Sequence, residues 1–227
     1  MKRIIRSIRI DKDSYSTILI SWCICAVLIW VTAFFIDNPW ISFPLAAVFV
    51  VFMVFITWFF RVPDREVPDY ENDRLVTSVA DGKVVILEKV FEKEYLKRDC
   101  IQVSVYMDFF DVHCNFWPVN GKVTYYQYHP GRYLLAFHPK SSELNEHSSS
   151  CLRNAYGEVF FKQIAGTFAR RIVCYSKPGN MENRGDQCGV IKFGSRIDLF
   201  LPLDADIRVK VGDKVKAVET VIAVLPE

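Results

Sequence analysis

Gly194 and Ser195, in the stretch "KFGSRIDLFLP" from Lys192 to Pro202, set a small nucleophile directly after a glycine at the lip of what reads as one buried strand. A strained peptide between them would let the Ser195 hydroxyl attack the Gly194 carbonyl and turn the amide into an ester. Glycine suits the acceptor side, because a side chain there would crowd the attack and because glycine tolerates unusual backbone angles. Elimination from the ester would cut the chain and leave a dehydroalanine that hydrolyses to a pyruvoyl group. That ketone would replace an external cofactor. The dipeptide alone is common; its setting, with Arg196 next and an alternating strand beyond, gives it weight.

The globular part has four histidines, His113, His129, His138 and His147. His113 lies in "MDFFDVHCNFWPVNG", where Asp111, His113 and Asn115 fall on one face of an extended segment. A carboxylate beside the imidazole would raise its basicity and fix its tautomer. Spacing alone favours the plainer alternative, a histidine that satisfies one hydrogen bond near a strand end. Asp81, directly before Gly82, is by position a structural turn residue. Arg170 and Arg171 in "QIAGTFARRIVCY" can grip a phosphate by paired contacts, although neighbours on a strand face opposite ways and at most one of them meets a ligand.

The elements that must position these groups are mostly strands. "SVADGKVVILEKV", "WPVNGKVTYYQYH" and "IRVKVGDKVKAVETVIAVL" carry turn pairs at Asp81-Gly82, Asn120-Gly121 and Gly212-Asp213, flanked by alternating or β-branched residues, and predict three hairpins. "KSSELNEHSSSCLRN" is polar and predicts a loop, and no helix of good amphipathic period follows Arg61. The fold class expected is mainly β, a sandwich or barrel-like domain.

Ahead of it lie two uncharged runs of 22 residues, Tyr15 to Ile36 and Pro39 to Phe60, each long enough to cross a hydrocarbon core of about 30 Å. Neither has the short apolar region and small-residue cleavage site of a signal peptide. They predict a helical hairpin; the alternative is a shallow interfacial pair, because Pro39 and Pro44 interrupt the second run. Residues 1–60 are therefore read as a basic segment with a two-helix membrane anchor and 61–227 as the globular domain. Lys2, Arg3, Arg6, Arg9 and Lys12 before the hairpin and Arg61 and Arg65 after it put both ends in the cytosol, at the inner membrane of the cell.

The whole chain carries a net charge of +2. Residues 1–13 hold +3 and residues 14–60 hold −1, so the globular part is neutral, which excludes a nucleic-acid binder on charge grounds. The basic N-terminus instead suits anionic lipid. Seven cysteines with no C-x-x-C spacing suggest neither a disulfide framework nor a metal site.

Seven stretches together carry a family resemblance: "FFRVPDREVP", "VADGKV", "FDVHCN", "PVNGKV", "YHPGRYLLAF", "QIAGTFARRIV" and "KFGSRIDLFLP". In that order, over about the last three quarters of the chain, they resemble the short, membrane-anchored form of phosphatidylserine decarboxylase, a pyruvoyl enzyme. The resemblance implies self-cleavage between Gly194 and Ser195 into a β chain, 1–194, and an α chain, 195–227, that begins in a pyruvoyl group made from Ser195. It implies that Asp81 and His113 assist the cleavage or the reaction, reversing the plainer reading of both. It further implies that phosphatidylserine loses carbon dioxide through a Schiff base on that ketone, giving phosphatidylethanolamine; His113 is the candidate for the proton step. Asn115, Arg170 and Arg171 are the candidates for holding substrate. The implied partners are the phospholipid substrate, the bilayer and the two chains of one precursor, with room for a homo-oligomer. Two departures stand out: Phe116 where short forms often have a basic residue, and Asn145-Glu146-His147 where they often have Asn-Glu-Arg.

Two other readings compete. "VKVGDKVKAVETVIAVL" resembles the hairpins of lipoyl- and biotin-carrier domains, which suggests a non-enzymatic, membrane-tethered module, but the turn offers Lys214 without the flanking residues of a carrier lysine. The same chemistry on another serine-headgroup lipid is the alternative within the enzyme class.

Overall fold

The computed structural model describes residues 3–5, 9–132, 134, 144–166, 172–192 and 195–227. The chain divides into two compact units, Ser7–Pro63 and Met1–Arg6 with Asp64–Glu227.

The smaller unit is a helical pair, α1 (Tyr15–Phe35) and α2 (Pro39–Phe59). Each has 21 residues, about 32 Å at 1.5 Å per residue, and both are long and apolar enough to cross a membrane. The prolines do not interrupt the second run. Pro39 occupies the first turn, where no N–H is needed, and the Asn38 side chain accepts from the Trp40 N–H at 3.0 Å. Pro44 lies inside a helix that continues past it, at the loss of a single backbone bond. The Trp22 indole N–H ties the pair together, donating to the Met53 carbonyl and the Thr57 hydroxyl, both at 3.2 Å. Ile18, Cys25 and Ile56 are buried, while Leu19, Trp30, Phe43 and Val54 stand exposed.

The larger unit is built on a curled, half-barrel sheet of eight strands: β1 (Gly82–Glu92), β2 (Arg98–Met107), β3 (Gly121–His129), β4 (His147–Asn154), β5 (Gly157–Ala165), β6 (Met181–Glu182), β7 (Ser195–Leu201) and β8 (Lys214–Val215). Their order across the sheet is β6-β3-β4-β5-β7-β2-β1-β8. Every pairing is antiparallel. Two three-stranded sheets accompany it, one of Ile172–Cys174, Gln187–Ile191 and Cys114–Phe116, the other of Asp206–Ile207, Val221–Val224 and Leu75–Thr77. Alternation sorts the side chains of the central strands. Val103, Val105, Phe161, Ile197 and Leu199 enter the main core, where Trp117 meets Phe161 edge to face at 6.0 Å. The other face carries Cys100, Cys151, Phe160 and Phe200 together with a fully buried Arg196–Asp198 ion pair, Nε to Oδ1 at 2.8 Å.

Three expectations change here. The turn pairs do not close hairpins, because the strands on either side of each belong to different sheets or pair elsewhere: Leu75–Thr77 joins Val221–Val224, Cys114–Phe116 joins Gln187–Ile191, and β8 joins β1. Asn120 instead accepts from the Arg184 N–H at 2.7 Å and donates to Asp73 at 2.6 Å. Gly212, with φ +99°, completes a Lys210–Asp213 turn that lies against β1, not a carrier-type hairpin. Second, much of the polar "loop" is β4, in the middle of the main sheet. Its serines are buried because each finds a partner: Ser148 with Gln163 at 2.8 Å, Ser149 with Glu94 at 3.0 Å, Ser150 with Ser176 at 2.6 Å. Third, Arg65, counted as a membrane flank, is buried in an ion pair with Asp81.

Candidate active site

Ser195 is the first residue of β7, fully buried, with Ala165 of β5 on one side and Met107 of β2 on the other. Gly194 lies outside the described residues. The Ser195 Oγ rests 3.7 Å from the Met107 Sδ. Asn115 Nδ2 approaches the same sulfur at 3.8 Å. Its Oδ1 accepts from Gln163 Nε2 at 2.8 Å, and Gln163 Oε1 accepts from the Ser148 hydroxyl at 2.8 Å. A thioether is a weak acceptor, so a hydroxyl and an amide donor converge, away from water, on a partner that satisfies neither strongly.

His113 is fully buried one residue before Cys114–Phe116, the strand that pairs with Gln187–Ile191. Its carbonyl accepts from the Ile191 N–H at 3.2 Å, which ties it to the chain just ahead of Gly194-Ser195. Its Nδ1 faces the Asp111 main-chain carbonyl at 2.9 Å. A carbonyl only accepts, so Nδ1 carries a proton; in the neutral form of the ring that places the lone pair at Nε2. The expected carboxylate partner is thus replaced by a backbone oxygen from the same residue. The Asp111 side chain turns back to accept from the Asp108 N–H at 2.8 Å. Burial pushes the Asp111 carboxyl up, and the negative charges of Asp81 and Asp108 add to that.

Asp81 is brought to the same level of the sheet. Lys83 pairs with Tyr106 and Met107 with Ser195, so the Asp81-Gly82 corner lies beside Met107 on the row that ends at Ser195. The corner is tight: a Cβ on Gly82 would lie 2.1 Å from the Tyr106 carbonyl oxygen. The Asp81 carboxylate binds Arg65 Nη2 at 2.6 Å through Oδ2 and the Ala217 N–H at 2.8 Å through Oδ1. It bonds neither His113 nor Ser195. Arg170 and Arg171 lie outside the described residues.

Sequence reasoning missed Met107, Gln163 and Ser148. The one signal for them is Gln163, a lone amide in "VFFKQIA" on the side where its neighbours in alternation, Phe161 and Ala165, are core residues.

The family model described as phosphatidylserine decarboxylase matches residues 52–223. A phosphatidylserine decarboxylase proenzyme of Amoebophilus asiaticus is 47% identical over 171 residues, 75% of each chain. One of Syntrophus aciditrophicus is 43% identical over 189 residues, covering 82% of this chain and 85% of the relative. One of Porphyromonas gingivalis is 38% identical over 221 residues, 96% of this chain and the whole of the relative.

Proposed function

Because this chain belongs to the phosphatidylserine decarboxylase family, we propose that it is made as a precursor, cuts itself between Gly194 and Ser195, and then converts phosphatidylserine to phosphatidylethanolamine and carbon dioxide. The observation that carries this reading is the setting of Ser195, a buried hydroxyl at a strand start that shares one weak sulfur acceptor with the Asn115 amide. The residues around it fit a carbonyl at position 195, which offers the Asn115 donor a stronger partner than a thioether. The pyruvoyl group supplies there an electrophilic carbonyl and a sink for the electron pair set free with carbon dioxide.

The chain's own residues take the remaining roles. His113, with Nδ1–H held by the Asp111 carbonyl, uses Nε2 to accept the Ser195 proton during cleavage and to return a proton to the product during turnover. Asp81 acts as a positioning residue, fixing the tight corner beside Met107 through Arg65 and the Ala217 N–H. Arg170 and Arg171 are assigned to the substrate's phosphate. Strand β7 is paired on both sides, so a cut before Ser195 leaves the α chain held in the sheet between β5 and β2.

The helical pair anchors the enzyme in the membrane, where its substrate is concentrated. With Arg65 withdrawn to Asp81, the positive flanks that place both ends on the cytoplasmic side are Lys2, Arg3, Arg6, Arg9 and Lys12 before the pair and Arg61 after it.

The test is release of labelled carbon dioxide from serine-carboxyl-labelled phosphatidylserine in mixed micelles. Wild type releases it without added cofactor, and His113→Gln releases it at least about 100-fold more slowly. Wild-type turnover by His113→Gln would remove His113 from the mechanism, and no release by processed wild-type protein would remove phosphatidylserine as substrate.

A further inference from the structure

On the face of the main sheet opposite Ser195 lies a group of side chains that the chemistry above does not use. The register of β3 with β4 pairs His129 with His147, and their rings stack with centroids 4.4 Å apart and planes at 17°. Glu94 meets them from the turn between β1 and β2. That turn is fixed: the Glu92 carboxylate accepts from the backbone N–H of Glu94, Tyr95 and Leu96 at 2.9, 2.9 and 2.8 Å. Glu94 Oε1 is 2.8 Å from His129 Nε2 and also accepts from the Tyr125 hydroxyl at 3.2 Å. Its Oε2 is held by Lys162 Nζ at 2.7 Å and the Ser149 hydroxyl at 3.0 Å. One donor atom from each of Glu94, His129 and His147 lies within 4.8 Å of the other two.

We propose that Glu94, His129 and His147 form a binding site for a borderline divalent transition metal, of which Zn²⁺ is the best fit. Two imidazole nitrogens and one carboxylate oxygen are the donor set of an open zinc site, with the fourth position left for water or an incoming ligand. Ca²⁺ and Mg²⁺ need more oxygen donors than the cluster offers.

The surroundings are those a metal site requires. His147 Nδ1 faces the Asn145 carbonyl at 2.7 Å; the carbonyl accepts from Nδ1–H, which leaves the Nε2 lone pair of the neutral ring for a metal. Lys162 and Ser149 occupy Oε2, so Glu94 binds through Oε1, and the ion takes the place of the proton now shared between that oxygen and His129 Nε2, which is released to solvent. Glu94 and His147 border a cavity of about 610 Å³, with Lys162 and Phe200 on its wall, which gives an ion a route from solvent. Face parity separates the site from Ser195: Ala165 pairs with Ser195, whereas His147 pairs with Ile164, which pairs with Arg196 on the other face. The ligands stand 35 and 18 residues apart in the chain, a spacing that no sequence motif marks.

The probe is Co²⁺, titrated into the full-length, detergent-solubilised protein and followed by its visible absorption. Expected are saturation at one equivalent per chain, the strong absorption of a four-coordinate ion, and displacement by Zn²⁺. Glu94→Gln, His129→Gln and His147→Gln should each weaken Co²⁺ binding by more than 100-fold. Ser149→Ala, which removes an outer partner of Glu94, should weaken it by about 10-fold. Zn²⁺ should raise the unfolding temperature of wild type and not of the three ligand variants. His147 makes no ion pair with Glu94, so His147→Gln carries the test even where Glu94→Gln fails to fold. No saturable Co²⁺ uptake by wild type, or uptake unchanged in His147→Gln, would overturn the proposal and leave the cluster as a stacked, ion-paired support for the sheet.

Discussion

The Asp81–Arg65 pair makes a prediction that separates positioning from chemistry. The two side chains are 14% and 7% exposed and meet at 2.6 Å. Removing one partner of a buried pair costs about 3–5 kcal/mol, because the other is left buried and uncompensated. Two features reduce that here. Asp81→Asn keeps an oxygen for the Ala217 N–H, and Arg65 retains Glu219 at 3.5 Å, itself 34% exposed. A loss of about 2–3 kcal/mol is therefore expected, which in a chain of this size lowers the unfolding temperature by about 5–10 °C. Arg65→Met should lose a similar amount, and the double variant clearly less than the sum, since either change alone dissolves the pair. Thermal unfolding of the four proteins in detergent measures this, with self-cleavage followed in the same preparations. If Asp81→Asn abolished cleavage at wild-type stability while Arg65→Met cleaved normally, Asp81 would act on the reacting atoms and the positioning argument would be wrong.

Three further outcomes follow from the same geometry. Gln163→Leu leaves the Ser148 hydroxyl and the Asn115 oxygen without their bonds. At about 1–3 kcal/mol for each buried unpaired group, denaturant unfolding should show a loss of at least about 2 kcal/mol; a loss below about 0.5 kcal/mol contradicts the network. Burial pushes the Cys151 thiol up to about 12 and Cys188 well above its usual value. The reactive thiolate is the form above the pKa, so iodoacetamide at pH 8 should leave both unlabelled in the native protein and label them on unfolding, as peptide mass spectrometry reports. Gly82→Ala, whose Cβ would meet the Tyr106 carbonyl at 2.1 Å, should give little folded protein. Gly212→Ala, with nothing within 4 Å, should fold and lose about 1 kcal/mol; equal behaviour of the two in solubility and unfolding assays would contradict the packing argument.

How much of this the sequence showed depends on how local the cause was. The helical pair was legible because 22 uncharged residues are decided by composition, and the mainly β character because alternation is decided by neighbours. Turn pairs such as Asn120-Gly121 mark where the chain bends; the strand that is joined afterwards depends on distant partners such as Arg184 and Asp73. β4 was misread because serine is a turn residue by propensity, and only Gln163, Glu94 and Ser176, each 15 or more residues away, make it buriable. His113 was legible as a candidate, whereas its partner was not: alternation pointed to the Asp111 carboxylate, and the chain supplies the Asp111 carbonyl. Arg65 read as a membrane flank for the same reason, its partner Asp81 lying 16 residues on in another element.

The central claim is that this chain makes its own ketone at Ser195, and intact-mass measurement of the purified, detergent-solubilised protein beside Ser195→Ala tests it most directly. Wild type should give two fragments, residues 1–194 and 195–227, the smaller with a blocked, ketone-reactive N-terminus, while Ser195→Ala gives one chain. A single intact chain from folded, membrane-inserted wild-type protein would contradict the account and leave "KFGSRIDLFLP" as a strand with no chemistry of its own.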